Sequence, residues 1–264
     1  MKIAVCIKSV PDPDCYDKIT LDPVNKTLNR AGIPAVINVA DKHAIEAALQ
    51  LKEEYGGSIT VVSMGPPPVE QQLREALAMG ADDAYLLSDR KVGGADTLAT
   101  SYAVSKLIEQ TGPYDIILAG NESADGATSH VPAQIAEWMG LGCICSALSI
   151  RVEDGKAIVT KKFENGTGTF RLGLPCVIAV NQRINKVRLT NMMAVLKAKK
   201  KPLTVFSAAD ITGLDESRVG LAGSPTQNGE LHMAESTKVC TMLEGTEEEA
   251  AAMILEKIKP LLKA

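Results

Sequence analysis

The feature that most restricts the fold of this chain is a regular alternation of short apolar runs and segments of helical periodicity. The runs are apolar along their whole length, as strands buried on both faces of a sheet are, and they lie at residues 2–9, 58–64, 83–87 and 114–119. The segments between them place apolar residues three and four positions apart, and they lie at residues 41–55, 67–79, 96–110 and 129–139. This rhythm predicts an α/β fold with a doubly wound, mostly parallel sheet.

The pattern changes after Ala147. Three strand-like runs follow one another closely at residues 148–152, 157–163 and 176–181, with turn signals at Asp154-Gly155 and Asn165-Gly166. We therefore expect an added antiparallel section beside the parallel strands. A helix-like segment at 191–201 and a strand at 203–206 complete a predicted domain at residues 1–206.

Residues 207–264 form the second predicted region, an extended C-terminal arm. Residues 207–245 show no clear periodicity, and a stretch of that length is either disordered or lies over another chain. A closing helix at 247–262 carries Ala251, Ile254, Leu255 and Ile258 on one side. This apolar side favours the second alternative, because an isolated amphipathic helix needs a surface on which to dock.

Composition and charge exclude several classes of function. The 264 residues carry a formal net charge of −4, which argues against broad nucleic-acid binding. No apolar run approaches the roughly 20 residues that span a bilayer, and the N-terminal apolar stretch is too short for a signal peptide, so we expect a cytoplasmic location. None of the six cysteines forms a C-x-x-C pair and the three histidines lack ligand spacing. We therefore expect no metal site, and we interpret the cysteines as packed side chains.

The best candidate for a binding site is the loop at residues 120–132, which follows a predicted strand. Ligands of doubly wound sheets bind beyond the carboxyl ends of the strands, and the small side chains here would let backbone amides approach a phosphate, with hydroxyl donors at Thr128 and Ser129. Glu122 and Asp125 would repel a phosphate and suit ribose hydroxyls or an amide edge. The sequence contains neither G-x-G-x-x-G nor G-x-x-x-x-G-K-[ST]. We predict a bound cofactor that supplies the chemistry, and no catalytic residue from this chain.

Five segments, taken in their order and spacing, give the chain a resemblance to a known family over essentially its whole length. They are Val5-Cys6-Ile7-Lys8, Asn38-Val39-Ala40-Asp41, residues 75–82, the loop at 120–132 and residues 193–201. The sequence resembles the β subunit of electron transfer flavoproteins. The resemblance implies a Rossmann-like sheet of the adenine nucleotide α-hydrolase type, and a heterodimer with an α subunit that holds one FAD. It also implies that the C-terminal arm and helix pack on that α subunit.

The resemblance also implies which residues bind the nucleotide of this subunit. One group comes from the ends of predicted strands and the loops after them: Cys6, Asn38, Val39, Ala40, Asp41, Met64, Gly120, Asn121, Glu122, Ser123, Ala124, Asp125, Gly126, Ala127, Thr128, Ser129, His130 and Val131. A second group opens the predicted helix at 96–110, where the helix start and two hydroxyls would hold a pyrophosphate: Asp96, Thr97 and Thr100.

Two branches of the family differ in that nucleotide. In the housekeeping branch the β subunit binds AMP with a structural role, held in part by an Asn-Gln-Thr triplet that Ser129-His130-Val131 replaces here. In the electron-bifurcating branch it binds FAD, and the turn Gly94-Ala95-Asp96-Thr97-Leu98 resembles that type. We therefore expect FAD, with AMP as the alternative; an adenine-nucleotide-binding regulatory protein from outside the family is a further alternative.

The bifurcating branch implies a role in electron transport. NADH donates a hydride to the FAD of the β subunit, and only the αβ complex oxidises NADH. One electron then passes through the α-subunit FAD to an acyl-CoA dehydrogenase, and the other passes to ferredoxin or flavodoxin. Met192, Met193, Val195 and Leu196, with the basic residues from Lys197 onward, resemble the family's docking segment for the dehydrogenase.

Overall fold

The computed structural model describes residues 1–18, 20–21, 28–29, 32–226, 229 and 239–263. The α-helices are α1 (Val39–Tyr55), α2 (Glu70–Met79), α3 (Thr97–Thr111), α4 (Val131–Met139), α5 (Met192–Ala198) and α6 (Glu247–Ile258). The strands are β1 (Lys2–Cys6), β2 (Ser9–Pro11), β3 (Thr20–Leu21), β4 (Leu28–Asn29), β5 (Ala35–Ile37), β6 (Ser58–Met64), β7 (Asp83–Leu87), β8 (Ile116–Gly120), β9 (Gly142–Glu153), β10 (Lys156–Phe163), β11 (Gly166–Gly173), β12 (Cys176–Val180) and β13 (Leu203–Phe206).

Nine of the described strands form one sheet in the order β11-β10-β9-β12-β8-β1-β6-β7-β13. The seven strands from β9 to β13 along this order pair in parallel, and β9, β10 and β11 pair antiparallel at one edge. The predicted α/β fold, with its mostly parallel sheet and added antiparallel section, is confirmed. The sequence did not predict β11, or the small β2–β5 sheet.

Helices cover both faces of the sheet. One buried cluster joins α1 and α2 to the sheet, and a second joins α3 and α4 to the opposite face. The central strands are buried throughout: all five residues of β8 and all five of β12 are inaccessible, which explains their continuous apolar runs.

The winding of the chain fixes where a ligand can bind. From β1 the chain runs through α1 to β6 and through α2 to β7, and α3 then returns it to β8 on the other side of β1. The strand order therefore reverses between β1 and β8. In open α/β sheets the crevice at such a switch point, outside the carboxyl ends of the strands, is where ligands bind.

The sequence predicts residues 207–226 as part of an extended arm, whereas in the structure they pack on the sheet domain. Ala208, Ile211 and Val219 are buried, and the Tyr102 hydroxyl of α3 accepts a hydrogen bond from the Asp215 amide at 3.0 Å. This segment packs on the sheet domain because Ile211, Leu214 and Val219, although irregularly spaced, join the buried cluster of α3 and α4.

The chain divides into two compact units, Met1–Glu230 and Leu231–Ala264. The part of the aperiodic stretch at 227–238 lies, apart from residue 229, outside the described residues. In the second unit, Thr246 caps α6 and exchanges hydrogen bonds with Glu249, which is a capping box. Among the described residues, no helix is both long enough and apolar enough to cross a membrane.

Candidate functional site

Two polar residues at the start of α1 hold together the crevice between β1 and β8. Asp41 accepts hydrogen bonds from the Lys8 amide at 2.7 Å and from the Gly120 amide at 3.0 Å. It therefore joins the chain just after β1 to the last residue of β8. Asn38 donates to the Glu122 carbonyl at 2.8 Å and accepts from the Ala124 amide at 3.1 Å. Its side chain fastens the loop after β8 and does not cap its own helix.

The carboxyl group of Asp41 is buried, and this burial has an electrostatic consequence. Burial raises the pKa of Asp41 to about 7, although hydrogen bonds from Lys8, Asn38 and Gly120 act in the opposite direction. Burial, together with the charge of Asp41, also raises the pKa of Cys6 to about 12. Cys6 therefore remains a neutral thiol at the end of β1.

Gly120 is required where β8 meets α1. A Cβ atom at this position would lie 2.4 Å from the Asp41 Oδ1 atom and 2.6 Å from the Ala40 Cβ atom. Any side chain would push the start of α1 away from the sheet. The glycine therefore permits the contact on which the crevice depends.

The loop at 120–131 is tightly folded and its charges are compensated internally. Ala127 and Ser129 have φ angles of 46° and 56°, a left-handed conformation that is uncommon outside glycine and gathers at functional sites. The Lys8 ammonium lies 2.6 Å from an Asp125 carboxylate oxygen, and the Ser129 hydroxyl donates to Glu122 at 3.0 Å. The acids that we expected to repel a phosphate are thus engaged with donors of the same site.

Lys8 is the main residue of this crevice that the sequence reasoning missed. Its Nζ atom also donates to the Ser123 hydroxyl at 3.2 Å, so it links the end of β1 to the loop after β8. The available signal was its place at the carboxyl end of the first strand, because the ligand-binding edge of a parallel sheet is the carboxyl edge.

A polar cleft of about 250 Å³ adjoins the loop. Its polar wall contains Asn121 and Glu122 of the loop and four residues that the sequence did not single out: Lys162, Asn181, Gln182 and Arg183. Asn121 is held in place because its Oδ1 atom accepts from both the amide and the hydroxyl of Ser146, at 3.0 and 3.1 Å. Two cations, Lys162 and Arg183, give this cleft the character of an anion-accepting surface.

The second group of predicted residues lies at the start of α3, which follows β7, two strands from β1. Asp96 caps this helix, accepting from the Leu98 and Ala99 amides at 3.0 Å each. Its other oxygen accepts from Thr226, and the Asp96 amide donates to Ser224. Burial raises the pKa of Asp96, but these amides together outweigh it, and the pKa lies below its ordinary value.

The remaining predicted residues differ in accessibility. Met64 is half-buried at the end of β6, Val39 is exposed and Ala40 is buried. His130, Thr128 and Gly126 are exposed on the loop, whereas Val131 is half-buried at the start of α4. Thr97 and Thr100 are half-buried on the first turn of α3. The structure therefore brings the residues at 38–41 and 120–125 together around Asp41 and Lys8, and it holds the Asp96 group on a separate element.

Comparison with known proteins agrees with this architecture. A model of the electron transfer flavoprotein domain matches residues 25–211. Electron transfer flavoprotein subunit beta of Thermoanaerobacterium thermosaccharolyticum is 38% identical over 258 residues, which cover 98% of each chain. The subunit of the same name from Megasphaera elsdenii is 42% identical over 234 residues, covering 86% of this chain and 85% of the relative. The Caffeyl-CoA reductase-Etf complex subunit CarD of Acetobacterium woodii is 40% identical over 228 residues, covering 86% of each.

Proposed function

This chain belongs to the electron transfer flavoprotein family as a β subunit, and from that premise we propose that it binds FAD and accepts electrons from NADH. The observation that carries the proposal is the junction at the switch point, where Asp41, Asn38 and Lys8 hold the loop after β8. A fixed loop of small residues beside the start of α1 suits the adenosine and phosphate portion of a nucleotide. When bound, FAD would supply hydride acceptance and one-electron transfer.

The residues of the crevice fit such a group. Gly120 brings α1 against β8, so the positive end of the α1 dipole adjoins the loop. Lys8 offsets the charge of Asp125, which reduces the repulsion that a phosphate would meet. We propose that residues 38–41, 64 and 120–131, with Cys6 beneath them, position the adenosine and the first phosphate.

The start of α3 has a more limited role in this proposal. The Asp96 carboxylate already uses the Leu98 and Ala99 amides, and its negative charge would oppose a phosphate placed directly on them. We propose that the hydroxyls of Thr97 and Thr100 contact the second phosphate or the chain that follows it. The same observation favours a second candidate function, in which the subunit binds AMP with a structural role and needs only one phosphate site.

The partners proposed for the complex are an α subunit that holds a second FAD, an acyl-CoA dehydrogenase, and ferredoxin or flavodoxin. The name of the Acetobacterium woodii relative describes a subunit of a complex with a caffeyl-CoA reductase, which supports an acyl-CoA enzyme as one partner here. This chain presents an exposed apolar segment at α5, where the Met192 and Met193 side chains are 75% and 63% exposed. Methionine-rich surfaces adapt to docking partners.

The cations around this docking segment have two different roles. Lys197, Lys199 and Lys200 are exposed and could face an acidic partner. Lys201 instead donates to the Leu77 carbonyl at 3.0 Å and to the Ala81 carbonyl, so it satisfies the end of α2. We propose that the docking surface consists of Met192, Met193, Leu196 and the first three lysines.

The nucleotide can be identified directly. The αβ complex is purified without added nucleotide, denatured, and its released nucleotides are separated and quantified against protein. We expect two FAD per heterodimer, and loss of visible flavin absorbance when NADH is added anaerobically. One FAD with one AMP, and no bleaching by NADH, would instead support the structural AMP role. If the complex released only the one FAD assigned to the α subunit, with no further FAD and no AMP, both candidates would be contradicted.

The docking proposal predicts a selective kinetic defect. Replacing Met193 with Glu should slow reduction of the acyl-CoA dehydrogenase, because a charge would have to be desolvated in an apolar contact. Reduction of the flavin by NADH should be unchanged, since α5 lies away from the crevice. The two rates are measured separately by stopped-flow absorbance, with Lys106→Glu as a surface control. Equal rates of dehydrogenase reduction in the variant and the wild type would remove α5 from the docking surface.

A further inference from the structure

Cys143 and Cys145 lie side by side on β9. Their Sγ atoms are 3.8 Å apart, and both side chains are half-buried and therefore reachable from solvent. Residues two apart on a strand point to the same face, which explains why the pair is close. From the sequence we interpreted these cysteines as packed side chains, because the spacing does not match a metal ligand pair. Among the described residues, no group of three or more His, Cys, Asp and Glu side chains is placed to hold a metal ion.

The strand is irregular at this point. Ile144 pairs with Ile178 and Ala147 pairs with Val180, so Cys145 and Ser146 together oppose the single residue Ala179. This is a β-bulge, a feature that re-aims side chains and occurs beside functional sites. Ser146 has a φ angle of 61° and donates two hydrogen bonds to Asn121 of the loop at 120–131. The thiol pair therefore adjoins that loop.

The surroundings make one of the two thiols reactive. A hydrogen bond from the Cys143 thiol, together with the positive charge of Lys161, lowers the pKa of Cys145 to about 7 despite the opposing effect of burial. The same hydrogen bond raises the pKa of Cys143. Near neutral pH a substantial fraction of the molecules therefore carries a Cys145 thiolate beside a Cys143 thiol, the arrangement in which a nucleophile has a resolving partner beside it.

We propose that Cys143 and Cys145 form a dithiol modification site, which low-molecular-weight disulfides oxidise to an intramolecular disulfide and trivalent arsenicals bind through both sulfurs. Two strand rises of about 3.3 Å separate the Cα atoms, near the upper limit of about 6.8 Å for a disulfide. The separation lies within the usual range, so the bond can form.

The oxidation balances as an ordinary thiol–disulfide exchange. The Cys145 thiolate attacks one sulfur of the added disulfide, so a protein–reagent S–S bond forms while the reagent's own S–S bond breaks and releases one thiolate. Cys143 then loses its proton to solvent and attacks the Cys145 sulfur, which releases the second thiolate. The two protein thiols are oxidised by two electrons, and one small disulfide is reduced to two thiols.

The test uses the full chain in its αβ complex, treated with glutathione disulfide or with phenylarsine oxide. With glutathione disulfide we expect the intact mass to fall by two hydrogens, and peptide mapping to locate the bond between Cys143 and Cys145. Phenylarsine oxide should bind with one arsenic per complex. Replacing either cysteine with Ser should weaken that binding on the order of 100-fold, because one of two linked contacts is lost.

Variants of single cysteines give the control and the direction of attack. Cys143→Ser should accumulate the mixed disulfide at Cys145, since the resolving thiol is missing. Cys176→Ser removes a buried thiol from the neighbouring strand and should leave both reactions unchanged. Persistence of a mixed disulfide in the wild type, or tight phenylarsine oxide binding by the Cys143→Ser and Cys145→Ser variants, would overturn the proposal. Both readouts are independent of which nucleotide the subunit binds.

Discussion

At the residue scale, one buried carboxyl group accounts for much of the geometry of the candidate site. Asp41 accepts from amides that follow β1 and end β8, and the Gly120 amide, which is buried, would otherwise lack a partner. An unsatisfied buried amide costs on the order of 1–3 kcal/mol. The start of α1, and the loop that Asn38 holds, therefore depend on an oxygen acceptor at position 41.

Replacing Asp41 with Asn should destabilise the protein by an amount that depends on pH. The asparagine NH2 group would face a backbone amide, so we expect a loss of roughly 1–3 kcal/mol. The pKa of Asp41 is about 7 in the folded protein and about 4 in the unfolded chain. Between about pH 4 and about pH 7 the folded wild type therefore keeps a proton on Asp41 that the unfolded chain has released. The free energy of unfolding of the wild type therefore falls as pH rises from about 4 to about 7.

The difference in the free energy of unfolding between the wild type and Asp41→Asn isolates the contribution of the Asp41 carboxyl group. It should favour the wild type most strongly near pH 4 and should fall by up to about 4 kcal/mol towards pH 7, where it can change sign, because one pKa unit is worth about 1.36 kcal/mol. Urea denaturation at several pH values measures it. A difference that does not change with pH would show that the pKa of Asp41 is not raised in the folded protein.

The sequence predicted much of this residue-level arrangement, but not its contacts. Asn38, Asp41 and Gly120 were expected in the site from their positions after strands and from the family resemblance. Lys8 stands at the end of the first predicted strand but was not among the predicted site residues, and its contacts with Ser123 and Asp125 span more than one hundred residues. A contact of that separation exists only after the sheet has formed, and no local pattern encodes it.

At the scale of elements, α1 links the crevice to the segment that precedes α5. His43 and Asn185 share two hydrogen bonds, of 2.8 and 3.0 Å. One to three turns further along, Glu46 and Glu53 both bind the Arg188 guanidinium, at 2.8 and 2.7 Å. The side chain of Glu46 is only 4% exposed. Arg188 thus fastens the chain to α1 directly before the exposed residues Leu189 and Met192.

Replacing Arg188 with Met should therefore lower the free energy of unfolding by roughly 1–3 kcal/mol. Removing one partner of a buried pair leaves the other charge without compensation, and the partial exposure of Arg188 reduces the cost through solvent screening. Lys91→Met is the matched control, because it breaks the Lys91–Glu216 pair, in which both side chains are more than half exposed. That change should have little effect. Equal destabilisation by the two substitutions, measured by chemical denaturation, would contradict the anchoring role of Arg188.

The elements that the sequence did not predict share a physical cause. β11 contains Gly166, Gly168 and Gly173, and glycine-rich segments have weak strand propensity, so only pairing with β10 reveals this strand. Residues 207–226 pack through a few scattered apolar side chains, which periodicity cannot detect. The long helices and buried strands were predicted because their apolar residues repeat at the helix or strand period.

At the scale of the whole molecule, α6 in the second unit has the properties of a docking element. None of its side chains is buried, and Ile254, Leu255 and Ile258 are 48%, 54% and 40% exposed. Its capping box and acidic first turn stabilise the helix locally, but an amphipathic helix gains most of its stability by packing. We propose that α6 packs on the α subunit.

Replacing Ile258 with Lys should weaken assembly with the α subunit, because it adds a charge to the apolar side of α6. The Kd, measured by analytical ultracentrifugation or interferometry, should rise by on the order of tenfold, equivalent to about 1.4 kcal/mol. Glu256→Lys introduces the same residue on the opposite side of the helix and should change the Kd little. Unchanged affinity in the Ile258→Lys variant would exclude α6 from the interface.

The open edge at β11 affects how the chain behaves before it finds other proteins. Among the described strands, β11 pairs with β10 on one side and with none on the other. Its outer peptide groups therefore remain available for pairing with a second copy of the chain. Long, flat, apolar edges of this kind nucleate aggregation. Here the flexible glycines, together with the positive charge of Arg171, make such stacking unfavourable. We therefore expect this edge to resist pairing with a second copy of the chain.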